Sequence, residues 1–312
     1  MKLLLALSII SGLAACGTTQ TVAKKEILEV PVKAYAQSVT SVGLSYIQAS
    51  QCPKALKTAE GYAKTDWKEL VAIANGCVKA ERWGHVDDLA ELLSTREPRA
   101  PWGAYYWALV AEARHDTARA IWMIDLALKK APEAGVLHFE KGRLLWKDES
   151  FTSAMESLLK AVQLDGSLSE AHVFLGQIYF RDQDYGKATQ HFYAVLKARP
   201  TDPIALSGLA ESRLQAGDTN GALEAIKRAV SAYPDKIEFA LREAYIFETI
   251  VGDKVQALEA YRSAMNVISS KRIKGAVASN VEKKISELEK LTRQPSSVAE
   301  RAPAPKKPEV KR

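Results

Sequence analysis

The chain has 312 residues, 47% of them hydrophobic and 26% charged, enough apolar material for one large or two ordinary domains. The formal net charge is +6, but residues 293–312 hold six Lys/Arg against Glu300 and Glu309, so +4 of it sits in the last twenty residues. The body is nearly neutral, which argues against a nucleic-acid partner.

The chain opens on an apolar run: residues 3–17 read LLLALSIISGLAACG. As a helix, Leu3 to Ala15 would rise only about 20 Å, short of a hydrocarbon core about 30 Å thick. With Lys2 ahead of it and small residues behind, the run has the layout of a secretory signal peptide. Leu13-Ala14-Ala15-Cys16 resembles the lipobox of bacterial lipoproteins. That resemblance implies a signal peptide over 1–15 and a diacylated Cys16 heading the mature chain, an anchor rather than a span. An ordinary signal peptide with an incidental Cys is the plainer alternative. In lipoproteins of two-membrane bacteria, Asp after the Cys usually marks retention at the inner membrane. Gly17 stands here, so the resemblance implies an outer-membrane anchor facing the periplasm.

Residues 16–37 then form a lipidated N-terminus and linker, and 38–66 a degenerate helix pair, Ser38–Gln48 and Pro53–Lys64. Cys52 opens the second of these helices and Cys77 lies near the end of the next. In an oxidising compartment the two either pair or stand as buried thiols. A disulfide closing that loop would contribute about 3 kcal/mol.

From Trp67 the chain repeats every 34 residues, in blocks beginning at Trp67, Pro101, Gly135, Ser169, Pro203 and Ile237. The eighth residues are Ala74, Ala108, Gly142, Gly176, Ala210 and Ala244. The twentieth are Val86, Ala120, Ala154, Ala188 and Ala222, and the sixth block supplies Ala257 after one extra residue. Helix stoppers recur at the thirty-second position, as at Pro132, Pro200 and Pro234. Small residues at two fixed positions mark where two antiparallel helices cross closely. Asp182-Gln183-Asp184, Gln215-Ala216-Gly217-Asp218 and Val251-Gly252-Asp253 are the turns between them.

Leu175-Gly176, Tyr179, Ala188, Phe192 and Pro200 at these offsets resemble the tetratricopeptide repeat (TPR). The resemblance covers about 67–271 and implies an all-α, TPR-type α-solenoid, a right-handed superhelix of antiparallel helix pairs. Two departures are Lys141, where an apolar residue is usual, and the extra residue in the sixth block. Val277 to Leu291 reads as a capping helix over 272–292, with Val281, Ile285, Leu288 and Leu291 on one face.

In this family the first helices line a concave groove through positions two, five, nine and twelve. The resemblance thus implies a groove lined by Trp102, Tyr105, Phe139, Arg143, Trp146, Gln177 and Phe180, with Arg181 just beyond, a surface suited to a peptide. Packing between adjacent helices is the competing reading of the rings. His138 and His172 share a register position but lack convergent ligands, so they read as structural or surface histidines and no metal is expected. Residues 293–312 are a basic, Pro/Lys-rich tail with little to bury.

The sequence carries no His-Glu-x-x-His, Gly-x-Ser-x-Gly or phosphate-binding Gly loop. It reads as a non-enzyme without cofactors. Lipobox plus repeats together resemble lipid-anchored scaffolds that assist type IV pilus secretins or gliding machinery. An adaptor of peptidoglycan synthases or hydrolases, with the basic tail touching the wall, is the alternative.

Overall fold

A computed structural model describes Cys52 and residues 66–293. The signal segment, Cys16 and its linker, the upstream pair apart from Cys52 and Asp66, and the tail beyond Arg293 lie outside the described residues. Among the described residues every regular element is a helix, and none is long and apolar enough to cross a membrane.

The chain divides into two compact units, one ending at Pro200 and one starting at Thr201. The first contains α1 (Trp67–Lys79), α2 (Trp83–Arg96), α3 (Trp102–Ala113), α4 (Thr117–Lys130), α5 (Gly135–Lys147), α6 (Phe151–Leu164), α7 (Ser169–Arg181) and α8 (Tyr185–Ala198). The second contains α9 (Pro203–Gln215), α10 (Thr219–Ala232), α11 (Ile237–Tyr245), a π-helical segment (Ile246–Val251), α12 (Lys254–Ser270) and α13 (Ala276–Arg293).

Each 34-residue block is one pair of helices. The first helix ends at a residue with positive φ: Glu81, His115, Glu149, Gln183 and Gly217 occupy the same position in five blocks. The next amide then reaches back five residues, as Asp184 N–H does to the Tyr179 carbonyl at 2.8 Å and Asp218 N–H to Arg213 at 2.8 Å. These are Schellman-type closures that satisfy the last carbonyls of the first helix. Asp116, Asp184, Asp218 and Asp253 then cap the second helix, each accepting from a first-turn amide at 2.9 to 3.1 Å.

The small residues lie where the register puts them. Ala74, Ala108, Ala210 and Ala244 are buried, and Val86, Ala120, Ala154, Ala188, Ala222 and Ala257 have no exposed surface. Two blocks need glycine at the eighth position because the opposing side chain is large. A Cβ on Gly176 would meet the Phe192 ring at 2.8 Å, and one on Gly142 would meet Leu158 Cγ at 2.6 Å. The crossing is therefore small against large, with Leu158 and Phe192 filling the space the glycines leave.

Both departures from the repeat pattern have physical explanations. Lys141 reaches Asp125 on α4 at 2.8 Å, so its charge is spent between neighbouring pairs. The extra residue of the sixth block is absorbed by the π-helical segment, a wider turn that accommodates one inserted residue. Gly252 then turns the chain with φ of +79°, and Ala257 regains its buried place. Glu248, inside the π segment, accepts from Tyr261 Oη at 2.8 Å and from Lys284 Nζ of α13 at 2.6 Å. Burial, then the Glu248 bond, push the Tyr261 phenol well up.

Helix α13 packs on α12 through Val281 and Leu288, with Ile285 half-buried. The expected apolar face is shorter than the sequence suggests: Leu291, placed on it by spacing, is 47% exposed, because the helix has already passed the end of its neighbour's apolar cluster. At the other end of the described chain, Cys52 and Cys77 form a disulfide with Cα atoms 5.3 Å apart.

Candidate functional site

The expected groove resolves into three different kinds of residue. Tyr105 and Phe139, expected to line it, are core residues, each 1% exposed. Phe139 on α5 lies 6.1 Å from Phe174 on α7, so the ring is consumed between adjacent first helices. Tyr105 packs edge-on against Tyr106 at 5.2 Å and Trp102 at 6.4 Å. A ring of this size gains more by leaving water than a shallow groove offers it. Trp102 itself is half-buried and stacked on Trp67 at 6.2 Å with an interplanar angle of 17°.

Arg143 is the second kind. It is not a cation presented to a partner, because its guanidinium makes a bidentate pair with Glu112 of α3 at 2.7 and 2.6 Å. The same group donates to Glu140 through Nε at 2.9 Å and Nη2 at 2.8 Å. Lys147 approaches Glu112 at 3.5 Å. Glu140 is 1% exposed, and burial pushes its carboxyl up against the pull of Arg143. Burial works against the charge of Arg143, but Glu140 and then Glu112 outweigh it and hold the proton more firmly than in free arginine. The phenol of Tyr105 is pushed well up, by burial first and by the charge of Glu140 second. The cluster is a structural tie between the α3 and α5 repeats.

The third kind remains accessible. Trp146, Gln177 and Phe180 are half-buried and Arg181 is exposed. Trp146 meets the ring of Phe151 at 4.9 Å and that of Phe174 at 5.9 Å, both edge to face. Phe180 lies 5.6 Å from Tyr185. Arg181 sets its guanidinium over the Phe151 ring at 3.6 Å, joining one repeat to the next by a cation–π contact. Trp146 and Phe180 end first helices, while Phe151 and Tyr185 begin second helices, so the rings gather along the inter-helix turns of two successive repeats. The result is an aromatic ledge: Trp146, Phe151, Phe180 and Tyr185, with Arg181 on top.

Sequence reasoning missed Phe151 and Tyr185. Both stand at the seventeenth position of their blocks, directly after the capping residue, and their aromatic identity there was the available signal. The two histidines expected to be structural have specific partners. His138 Nε2 lies 2.8 Å from the Pro132 carbonyl, and His172 Nδ1 lies 2.9 Å from His191 Nδ1. Among the described residues, no three His, Cys, Asp or Glu side chains converge as metal ligands.

Sequence profiles described as tetratricopeptide repeat match residues 105–169 and 179–244. The helix pairs of this chain are thus tetratricopeptide repeats, and the fold is an all-α, solenoid-type array of them. The C-terminal part of a TPR repeat-containing protein from Cytophaga hutchinsonii superposes with a TM-score of 0.59 at 16% identity, covering 70% of this chain and 88% of that one. The crystal structure of MamA protein superposes with a TM-score of 0.51 at 21% identity, covering 54% and 92%. At such identities the likeness concerns the fold alone. No curated protein sequence matches the chain.

Proposed function

We propose that this protein is a tetratricopeptide scaffold that captures a protein partner through the aromatic ledge of its first unit and is held at the cell envelope by a lipid on Cys16. The observation that carries this reading is the ledge itself. Four rings and a guanidinium from two repeats stand at least partly open to solvent, where rings of this size are otherwise drawn into the core. Aromatic and arginine side chains are the residue types that dominate protein interfaces. A peptide laid across the turns would rest its apolar side chains between Trp146 and Phe180. Arg181 would then meet an acidic or carbonyl oxygen of the partner.

Anchoring follows from the sequence. The Leu13-Ala14-Ala15-Cys16 lipobox with Gly17 after it supports an outer-membrane lipoprotein facing the periplasm. In that setting the scaffold serves the assembly of an envelope machine, a type IV pilus secretin or a motility complex. Adaptor action on peptidoglycan synthases or hydrolases is the alternative, supported by the six Lys/Arg of the tail.

Affinity capture of the full chain from crosslinked envelopes tests both parts. Secretin, pilus or motility subunits are the expected captives, and wall synthases or hydrolases would favour the alternative. A Cys16→Ser form that stays membrane-bound at normal levels would remove the anchor from the proposal.

A further inference from the structure

The closest approach of two titratable rings in the molecule lies away from the ledge, between the two helices of one repeat. His172 on α7 and His191 on α8 face each other with Nδ1 atoms 2.9 Å apart. Their ring centroids are 5.2 Å apart, which is that contact plus one ring radius at each end, so the imidazoles meet end to end. An end-to-end N···N contact of this length is a hydrogen bond with room for one proton.

The neighbours decide which ring supplies it. His172 also bonds the backbone of Gly166, in the turn before α7, and a carbonyl there requires the second ring nitrogen, Nε2, to carry hydrogen. In the neutral ring its Nδ1 is then the acceptor, and His191 Nδ1–H is the donor. One further proton can be taken up on Nε2 of His191 without disturbing this bridge. A second has no site except the bridge, where two N–H groups would point at each other across 2.9 Å.

We propose that His172 and His191 form an acid-released latch that locks α7 to α8 and to the turn at Gly166 while at most one of the pair is charged. The surroundings suit a latch set to hold at neutral pH. Burial and then the proximity of His172 push His191 down to about 4, and burial lowers His172 against the pull of the Gly166 carbonyl. Tyr179 lies flat on His191 at 5.3 Å and 7°, which covers one face of the ring with an apolar surface. The charged groups around the pair are already engaged. Lys187 sits over the far side of Tyr179 at 5.1 Å and is paired with Asp184 at 2.8 Å. Glu170 is paired with Arg199 at 2.9 Å, and Asp165 accepts from Ser167. The influences on the two rings are burial, the Gly166 carbonyl and each other, with no carboxylate to stabilise a doubly charged pair.

Both rings are less basic folded than unfolded, so the unfolded chain binds more protons below about pH 6.5 and stability falls as the pH drops from there toward 4. Because α7 also carries Phe180 and Arg181, release of the latch frees the helix that holds one half of the ledge.

Two measurements on the full chain decide the matter. In nitrogen-detected histidine NMR at pH 7, one Nδ1 of the pair should bear the proton and the other should be bare, with coupling across the hydrogen bond. Both bare or both protonated overturns the latch. In urea unfolding, the folding constant of the native chain should fall, between pH 7 and 4.5, by about tenfold or more beyond the fall in a His191→Phe form, which keeps the stack on Tyr179 but cannot titrate. An equal fall in both also overturns it.

Discussion

Replacing Arg143 with Met separates two roles that the sequence leaves superimposed, partner contact and internal tie. The guanidinium makes four hydrogen bonds of 2.6 to 2.9 Å to Glu112 and Glu140, and these three side chains are 15%, 14% and 1% exposed. Removing the cation leaves two carboxylates facing each other in a site that water barely reaches. Losing one partner of a buried ion pair costs about 3–5 kcal/mol, most of it the penalty of the abandoned charge. The assay is urea unfolding followed by circular dichroism, run at pH 5 and pH 8. Without Arg143 the carboxyl of Glu140, already raised by burial, keeps its proton to higher pH, so the variant should recover part of its loss at pH 5. Adding Glu140→Gln should restore more than half of the loss at pH 8, because the orphaned charge is gone. A loss below about 1 kcal/mol, flat between the two pH values, would refute the argument and return Arg143 to the surface as a solvated cation.

Two further outcomes follow from the repeat geometry. Gly176→Ala should lower stability by about 1–3 kcal/mol in thermal unfolding, since the added methyl lands 2.8 Å from the Phe192 ring and the helix propensity it gains is smaller. Replacing Phe192 with Leu in the same chain should recover part of that loss. Glu149→Gly should raise stability by about 1 kcal/mol, because Glu149 holds φ of +60° where glycine pays no steric cost, whereas Gly217→Ala at the equivalent turn should lower it by a similar amount.

The repeat was legible because its requirements are local and recur: a small residue at a helix crossing, Asp before a second helix, a stopper at the block end. Ala120, Ala154 and Ala188 could be placed from spacing alone because each answers the same crossing. The groove was less legible, because position five says which face a side chain leaves from but not how near the next first helix comes. Phe139 meets Phe174 from the following repeat, a contact of sequence separation 35 that no window along one helix displays. Arg143 hides its role for the same reason, since Glu112 lies 31 residues away. The division after Pro200 leaves no mark at all, as Arg199-Pro200 reads like any other block end. The single extra residue of the sixth block was visible, but only the backbone shows that a π turn takes it up.

The central claim is that the ledge, not the core rings beneath it, captures the partner. The direct measurement compares captured partner from crosslinked envelopes for the native chain and for a Phe180→Ser, Arg181→Glu form, alongside the unfolding temperature of each. The account predicts loss of at least about tenfold in capture, as expected when two central interface residues are removed, with little change in unfolding temperature. Undiminished capture by a variant that remains folded would contradict it.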